Sequence, residues 1–232
     1  DFAEHSKFLS KYLDKLDIIN PPIVVDTVSK EDIEQFIQKY EIDASRRIIG
    51  MIARLASEKG VEYLVKAMPQ ILNTYPDSQV VFAGNYQNVI GESAYKEKVM
   101  PMIQQLGDHW KFLGIISDLE KSAFYNLCDV VVLPSINSTE SFGMVQVEGM
   151  ICGAPVVATN LPGVRQPVQS TGRGKIVPIK DSLGLAEGII QVLQSKDVFD
   201  QGSVSQLKEQ YSPQKVAEEY ESLYLRLMED DG

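Results

Sequence analysis

Two stretches of the chain combine residue types that suit a bound anion. The first is Arg54-Leu-Ala-Ser-Glu-Lys59-Gly60, which follows the apolar run 48–53. An Arg and a Lys between a strand and a helix, beside a glycine at the helix start, suit an anion at a helix N-terminus. Arginine clasps a phosphate through two parallel hydrogen bonds, and lysine adds a mobile point charge. Taken alone, the same pair is also what a solvated surface loop carries. The second stretch is Pro134-Ser-Ile-Asn-Ser-Thr-Glu140-Ser-Phe-Gly143-Met144, leading into a helical segment that contains Glu148. If Glu140 and Glu148 share one helix, their spacing gives about 800° of rotation and about 12 Å of rise. That is roughly the length of a diphosphate with a ring at each end. The amides of Phe142, Gly143 and Met144 would open the helix and face an anion between the two acids. Glu148 lies among Val145, Val147, Met150 and Ile151, where an unpaired carboxylate is costly. The plainer alternative is a capped helix with Glu148 in solvent.

Residues 48–195 supply the elements that must position these groups. Apolar runs at 48–53, 79–83, 111–113, 129–133, 155–158 and 175–179 alternate with helical patterns at 61–73, 91–106, 119–128, 143–151 and 182–194. Short apolar strands without polar alternation are buried on both faces, as in a parallel sheet covered by helices. The expectation is an α/β, doubly wound, Rossmann-like domain, with ligands in the crevice beyond the carboxyl ends of the strands. The flanks differ. Ile33, Phe36, Ile37 and Tyr40 form one amphipathic stripe, and Val216, Tyr220, Leu223, Tyr224 and Leu227 form another. Either stripe packs on its own sheet, docks a neighbouring domain or pairs in a dimer. The expected organisation is an interdomain segment at 1–47, the nucleotide-binding domain at 48–195 and a helical segment at 196–232.

Composition narrows the function. The 22 Lys and Arg against 32 Asp and Glu give −10, which argues against a general nucleic-acid binder. The flanks hold most of that charge: 7 positive against 10 negative groups in 1–47, and 4 against 9 in 196–232. The centre is left with cations for a specific anion. The two cysteines, Cys128 and Cys152, with only His5 and His109 to help, make neither a disulfide framework nor a zinc site, and read as buried thiols of a reducing compartment. Neither histidine falls in a crevice loop. No apolar run approaches the ~20 residues of a membrane span. The start, Asp1-Phe-Ala-Glu-His, is not a signal peptide, and without an initiator Met the chain reads as cut from something longer.

Together, Arg54-x4-Lys59-Gly60, Asp129-Val-Val-Val-Leu-Pro-Ser135, Ser141-Phe-Gly143 between Glu140 and Glu148, and the run from Glu148 to Thr159 closely resemble family 4 glycosyltransferases. The resemblance covers about residues 45–195. It implies the carboxyl-terminal, nucleotide-sugar-binding half of a GT-B enzyme, which moves a sugar to an acceptor with retention and without a metal or other cofactor. It implies that Arg54 and Lys59 clamp the diphosphate and that Glu148 accepts the ribose hydroxyls. Glu140 would hold the sugar's hydroxyls, the amides of Phe142, Gly143 and Met144 would meet the distal phosphate, and the backbone of Ile116 would meet the base. Uridine diphosphate is the commonest donor nucleotide of such enzymes, so a UDP-sugar is the expected substrate. The chain has no Asp-x-Asp pair of the kind that metal-dependent transferases use.

There are departures from the pattern. Many relatives place a Glu near Gln166, and Arg165, Arg173 and Lys175 are extra cations that either face the cleft or, on the plainer reading, are surface charges. Thr171-Gly-Arg-Gly-Lys175 is a turn, not a phosphate loop, because its first glycine is missing and Ile176 follows the Lys. Relatives are roughly twice as long, so the acceptor domain is expected elsewhere, and this chain alone is expected to bind donor without transferring sugar. A cytoplasmic location, with peripheral membrane contact through that other domain, fits. Alternatives are a nucleotide-sugar epimerase of the same fold, which product analysis separates, and a non-catalytic binding module such as a receiver domain. A receiver needs an acid at the carboxyl end of a strand, whereas Asp129 opens its strand.

Overall fold

The computed structural model describes residues 3, 6–195 and 202–230. Six strands form one sheet: β1 (Arg47–Ile52), β2 (Ser78–Ala83), β3 (Trp110–Gly114), β4 (Val130–Leu133), β5 (Val156–Thr159) and β6 (Gly174–Val177). Their order is β3-β2-β1-β4-β5-β6 and every neighbouring pair is parallel. The connecting helices are α2 (Val61–Thr74), α3 (Ser93–Gln104), α4 (Asp118–Leu127), α5 (Met144–Ile151), α6 (Gln166–Thr171) and α7 (Ser182–Gln194). Helix α1 (Lys30–Lys39) precedes the sheet, and α8 (Gly202–Gln210) and α9 (Pro213–Asp230) follow it.

Successive strand residues face opposite ways, so the apolar strands feed two cores. Ile49, Met51, Val80, Phe82, Val130 and Val132 pack with α2, α3 and α7. Val81, Ala83, Val131, Leu133, Val156 and Ala158 pack with α4 and α5, which Phe36 of α1 and Leu207 of α8 cover in turn. Burial on both faces is why these strands carry no polar alternation. The doubly wound architecture matches the expectation, with strand ends shifted by one or two residues.

Two local readings change. The segment after β5 contains helix α6, where Pro167 suits the first turn and Gly172, at φ 66°, ends it in the left-handed region. Arg173 is not a surface charge. It is 3% exposed, and its Nη2 donates to the Gly153 carbonyl at 3.4 Å. The α6 turn carries it beneath the start of β6, at the end of the sheet opposite the crevice. Lys175 is exposed on the outer strand, and Arg165 donates to Asn160 Oδ1 at 3.0 Å, so these two behave as expected. His109 also lies at the far end, in the turn before β3, with Nδ1 2.8 Å from the Ser78 carbonyl. His5 lies outside the described residues. Cys128 is buried and Cys152 partly so, and burial pushes the Cys152 thiol up to about 12.

The two amphipathic stripes have different fates. Ser29 and Asp32 cap α1 reciprocally, and the helix lies on α4 with Phe36 buried. Lys39 Nζ and Tyr40 Oη both donate to Glu120 Oε1, at 2.5 and 3.0 Å. On α9, Val216 is buried, but Tyr220, Tyr224 and Leu227 are exposed. Burial raises the Glu120 carboxyl, but Lys39, the Ser117 amide and hydroxyl and Tyr40 outweigh it and hold the group down at about 2. A carboxyl lowered in the folded state adds stability above its unfolded value and loses it as pH falls through the folded one. The α1–α4 contact should therefore weaken from about pH 4.5 to about pH 2. Denaturant titrations across that window should show a shallower acid loss in Glu120→Gln than in the parent. Parallel losses would remove this pair as the source.

Candidate functional site

The chain leaves β1 outward to β2 and β3, then returns to place β4 on the other side of β1. At such a switch point the chain leaves the two central strands in opposite directions, and a ligand crevice lies outside the carboxyl ends of the strands. The loop after β1 holds Arg54 and, in one turn of 3-10 helix at Ser57–Lys59, Lys59. Gly60 follows at φ 67° and ψ 25°. A side chain there would be strained and would also run into the Pro134 carbonyl. The bare backbone lets the loop after β1 rest on the loop after β4. The Ile136 amide donates to the Glu58 carbonyl at 2.9 Å and fastens the contact.

Across this seam Lys59 Nζ meets Glu140 Oε2 at 2.6 Å, with both side chains about one-fifth exposed. The expected phosphate ligand and the expected sugar ligand, 81 residues apart, are thus neighbours. Arg54 is more exposed and pairs with Glu58 at 3.0 Å. Helix α5 begins at Met144 with Gly143 as its N-cap at φ 78°. Among the described residues the amides of Phe142, Gly143 and Met144 have no acceptor, as the first donors of a helix do, with Gly143 buried, Phe142 half-buried and Met144 exposed. Glu140 precedes the helix, behind a left-handed glycine, so helical rotation does not relate it to Glu148. Its place is fixed by Lys59 instead.

Glu148 is buried in α5 at 7% exposure, but it is not unpaired. Lys121 Nζ donates to Oε1 at 2.9 Å and Tyr125 Oη to Oε2 at 2.7 Å. Sequence reasoning missed both partners. The available signal was their four-residue spacing on α4, which puts them on one helix face. Burial pulls the Lys121 ammonium down, but the bond and charge of Glu148, with Asp118, outweigh it and leave the group raised. Burial and the Glu148 charge push the Tyr125 phenol well up, so it stays a donor. Ile116 is half-buried one residue before Ser117, the N-cap of α4. It therefore stands at the carboxyl end of β3, at the start of the helix that carries Lys121.

Among the described residues Arg54 pairs with Glu58, Lys59 with Glu140, and Lys121 with Glu148 and Asp118. An entering dianion competes for cations that are already positioned. A separate cavity of about 490 Å³ opens between the loop after β2 and α3, lined by Leu55, Tyr86, Glu92, Lys96 and Met100. None of Arg54, Lys59, Glu140 or Glu148 lines it, and its Lys96 donates to the Gln87 carbonyl at 2.9 Å. The crevice, not this cavity, collects the groups that the sequence pattern singled out for an anion.

The sequence pattern described as Glycosyl transferases group 1 matches residues 32–211, which span the crevice and all six strands. The chain belongs to that family. An uncharacterized glycosyltransferase of Methanocaldococcus jannaschii is 29% identical over 219 residues, covering 92% of this chain and 54% of its own length. A phosphatidyl-myo-inositol mannosyltransferase of Mycobacterium leprae is 33% identical over 59% of this chain and 34% of its own length. The chain spans about half or less of the length of these glycosyltransferases. Among solved structures, Anabaena HepE in complex with UDP-glucose superposes with a TM-score of 0.68 at 27% identity, over 84% of this chain and 54% of that one. Sucrose-phosphate synthase of Thermosynechococcus elongatus shares the fold, with a TM-score of 0.76 at 24% identity. Among the described residues, no helix of this glycosyltransferase chain is long and apolar enough to cross a membrane.

The Glu148 cluster makes its own prediction. Lys121→Met leaves a buried carboxylate with one donor fewer, which should cost about 1–3 kcal/mol in urea unfolding. Adding Glu148→Gln should recover part of that loss, because the orphaned charge is gone. A double variant no more stable than Lys121→Met would show that the pair is not coupled.

Proposed function

We propose that the crevice binds the nucleotide diphosphate of a sugar donor, a UDP-sugar, for metal-independent transfer with retention at the anomeric carbon. The observation that carries this reading is the meeting of Lys59 and Glu140 at the switch point, beside the open amides that start α5. In this arrangement Lys59, Arg54 and the amides of Phe142, Gly143 and Met144 take the diphosphate. Glu148 accepts the ribose hydroxyls, the Ile116 backbone meets the base, and Glu140 takes the hydroxyls of the transferred sugar. Donor binding draws Lys59 from Glu140 to phosphate, which frees the carboxylate for the sugar.

Breaking the bond from the anomeric carbon to oxygen leaves negative charge on the departing diphosphate. Once the donor is bound, the cations already on the diphosphate and the oriented amides stabilise that charge without further reorganisation. Retention is proposed from the motif resemblance to family 4 glycosyltransferases, and the uridine base from that resemblance and the likeness to the UDP-glucose complex of HepE. The acceptor is held by residues outside this domain, and transfer needs both parts. A cytoplasmic site of action, with membrane contact made elsewhere in the protein, and pairing through the exposed α9 stripe belong to the same proposal. The Lys59–Glu140 arrangement favours the transferase over an epimerase, and the anomeric products would separate them.

Calorimetric titration of the chain with UDP tests the site. Lys59→Met should raise Kd by roughly 10- to 100-fold, the value of a charged hydrogen bond. Arg54→Ala should have a smaller effect, about 3- to 10-fold, because that side chain is solvated and screened. Unchanged affinity in both variants removes the clamp. Excess EDTA should leave UDP binding as it was, and a large loss on chelation would overturn the metal-free mechanism.

A further inference from the structure

We infer that Gln146 is a positioning residue that aims the anion-binding amide of Gly143, an assignment that rests on reading the crevice as a nucleoside-diphosphate site. Gln146 is wholly buried in the first turn of α5. Its Nε2 donates to two backbone carbonyls, Phe142 at 2.8 Å and Val164 at 2.7 Å. Among the described residues its Oε1 has no partner. A buried amide oxygen left unsatisfied is costly. A Met or Leu would fill the same space without that cost, so packing alone does not account for a glutamine here. The two donated bonds do.

The bond to Phe142 sets the orientation of a functional group. In a trans peptide unit the carbonyl and the following N–H point in opposite directions. Drawing the Phe142 carbonyl onto Gln146 therefore turns the Gly143 N–H away from Gln146, and that amide has no acceptor among the described residues. The plane is not otherwise rigid, because Gly143 sits at φ 78° and glycine crosses to other regions at little cost. Without Gln146 the 142–143 peptide is free to rotate and present its carbonyl, an acceptor, where an anion needs a donor. The second bond ties in the loop after β5, and Gly163 in that loop lies so close to the Ser141 carbonyl that a Cβ would collide with it. One side chain thus joins the helix start, the turn before it and the neighbouring loop. A donor fixed before the ligand arrives is what transition-state charge stabilisation requires.

The test combines amide NMR with titrations of UDP and of uridine, which lacks the phosphates. In the parent chain the Gly143 amide proton should shift downfield with UDP and stay in place with uridine. Gln146→Met should lose about tenfold or more in UDP affinity, keep its uridine affinity and lose the Gly143 response. Gln146→Glu should behave like the Met variant at neutral pH. It should recover UDP affinity as pH falls, because a protonated carboxyl regains one donor. Equal losses for UDP and uridine mean a merely structural role and overturn the assignment, as does a Gln146→Met variant that binds UDP like the parent. If the variants do not fold, the parent decides, since an unresponsive Gly143 amide overturns the assignment by itself. A parent that binds no UDP overturns the proposed function, whereas a parent that binds UDP with Gln146 making no difference overturns only this inference.

Discussion

The seam between the loops after β1 and β4 is the constraint on which the crevice depends. Two backbones must touch there, and they do so because Gly60 is in the left-handed region with nothing between it and the Pro134 carbonyl. That contact brings the Lys59 ammonium onto the Glu140 carboxylate. If the loops stood apart, Lys59 would be a solvated cation and Glu140 a solvated acid, each worth little in high dielectric. Brought together at the end of a sheet whose strands are buried on both faces, they form a preorganised array. The parallel sheet contributes a second condition. Its interior has no room for charge, so every ionisable group of the site sits at the carboxyl ends of the strands or on the helices that start there.

Charge is balanced within the crevice before any ligand is present. Among the described residues Arg54, Lys59 and Lys121 each pair with a carboxylate, Lys121 with Asp118 as well as Glu148. This arrangement avoids the cost of unpaired, partly buried charge. It also means that binding a dianion is an exchange of partners, not a capture by free cations. The pair most deeply enclosed, Lys121 and Glu148, is reinforced by the Tyr125 hydroxyl, so its carboxylate keeps a fixed orientation. Arg54, the most exposed of the three cations, is the one freest to move toward a ligand.

Rigidity is graded in the same way around the turn that opens α5. Glycine at 143 gives the backbone a conformation that other residues resist, and it also gives it freedom to leave that conformation. Gln146 removes that freedom by holding the adjoining carbonyl, and Val164 and Gly163 hold the loop behind it. A flexible residue is thus used where its dihedral angle is required and is then restrained by a neighbour.

Much of the architecture was legible in the sequence. Six apolar runs, each too short for a buried helix and lacking alternation, specify a parallel sheet, because burial on both faces leaves no other composition possible. Arg54, Lys59, Gly60, Glu140, Gly143 and Glu148 stand out by residue type and by their place just beyond the strands. Local reading failed wherever a contact spans many residues. The helix opens at Gly143 as expected, so the helical rotation used to relate Glu140 to Glu148 does not reach Glu140, and Lys59, 81 residues away, fixes that acid. Arg173 read as exposed because nothing near it in sequence shows that the α6 turn folds it under Gly153. Lys121 and Tyr125 have an ordinary helical spacing, and only the packing of α4 against α5 places them on Glu148. Sequence determines local conformation and burial pattern because both depend on near neighbours. The pairing of charges was decided by tertiary structure, because it depends on which loops the sheet order brings together.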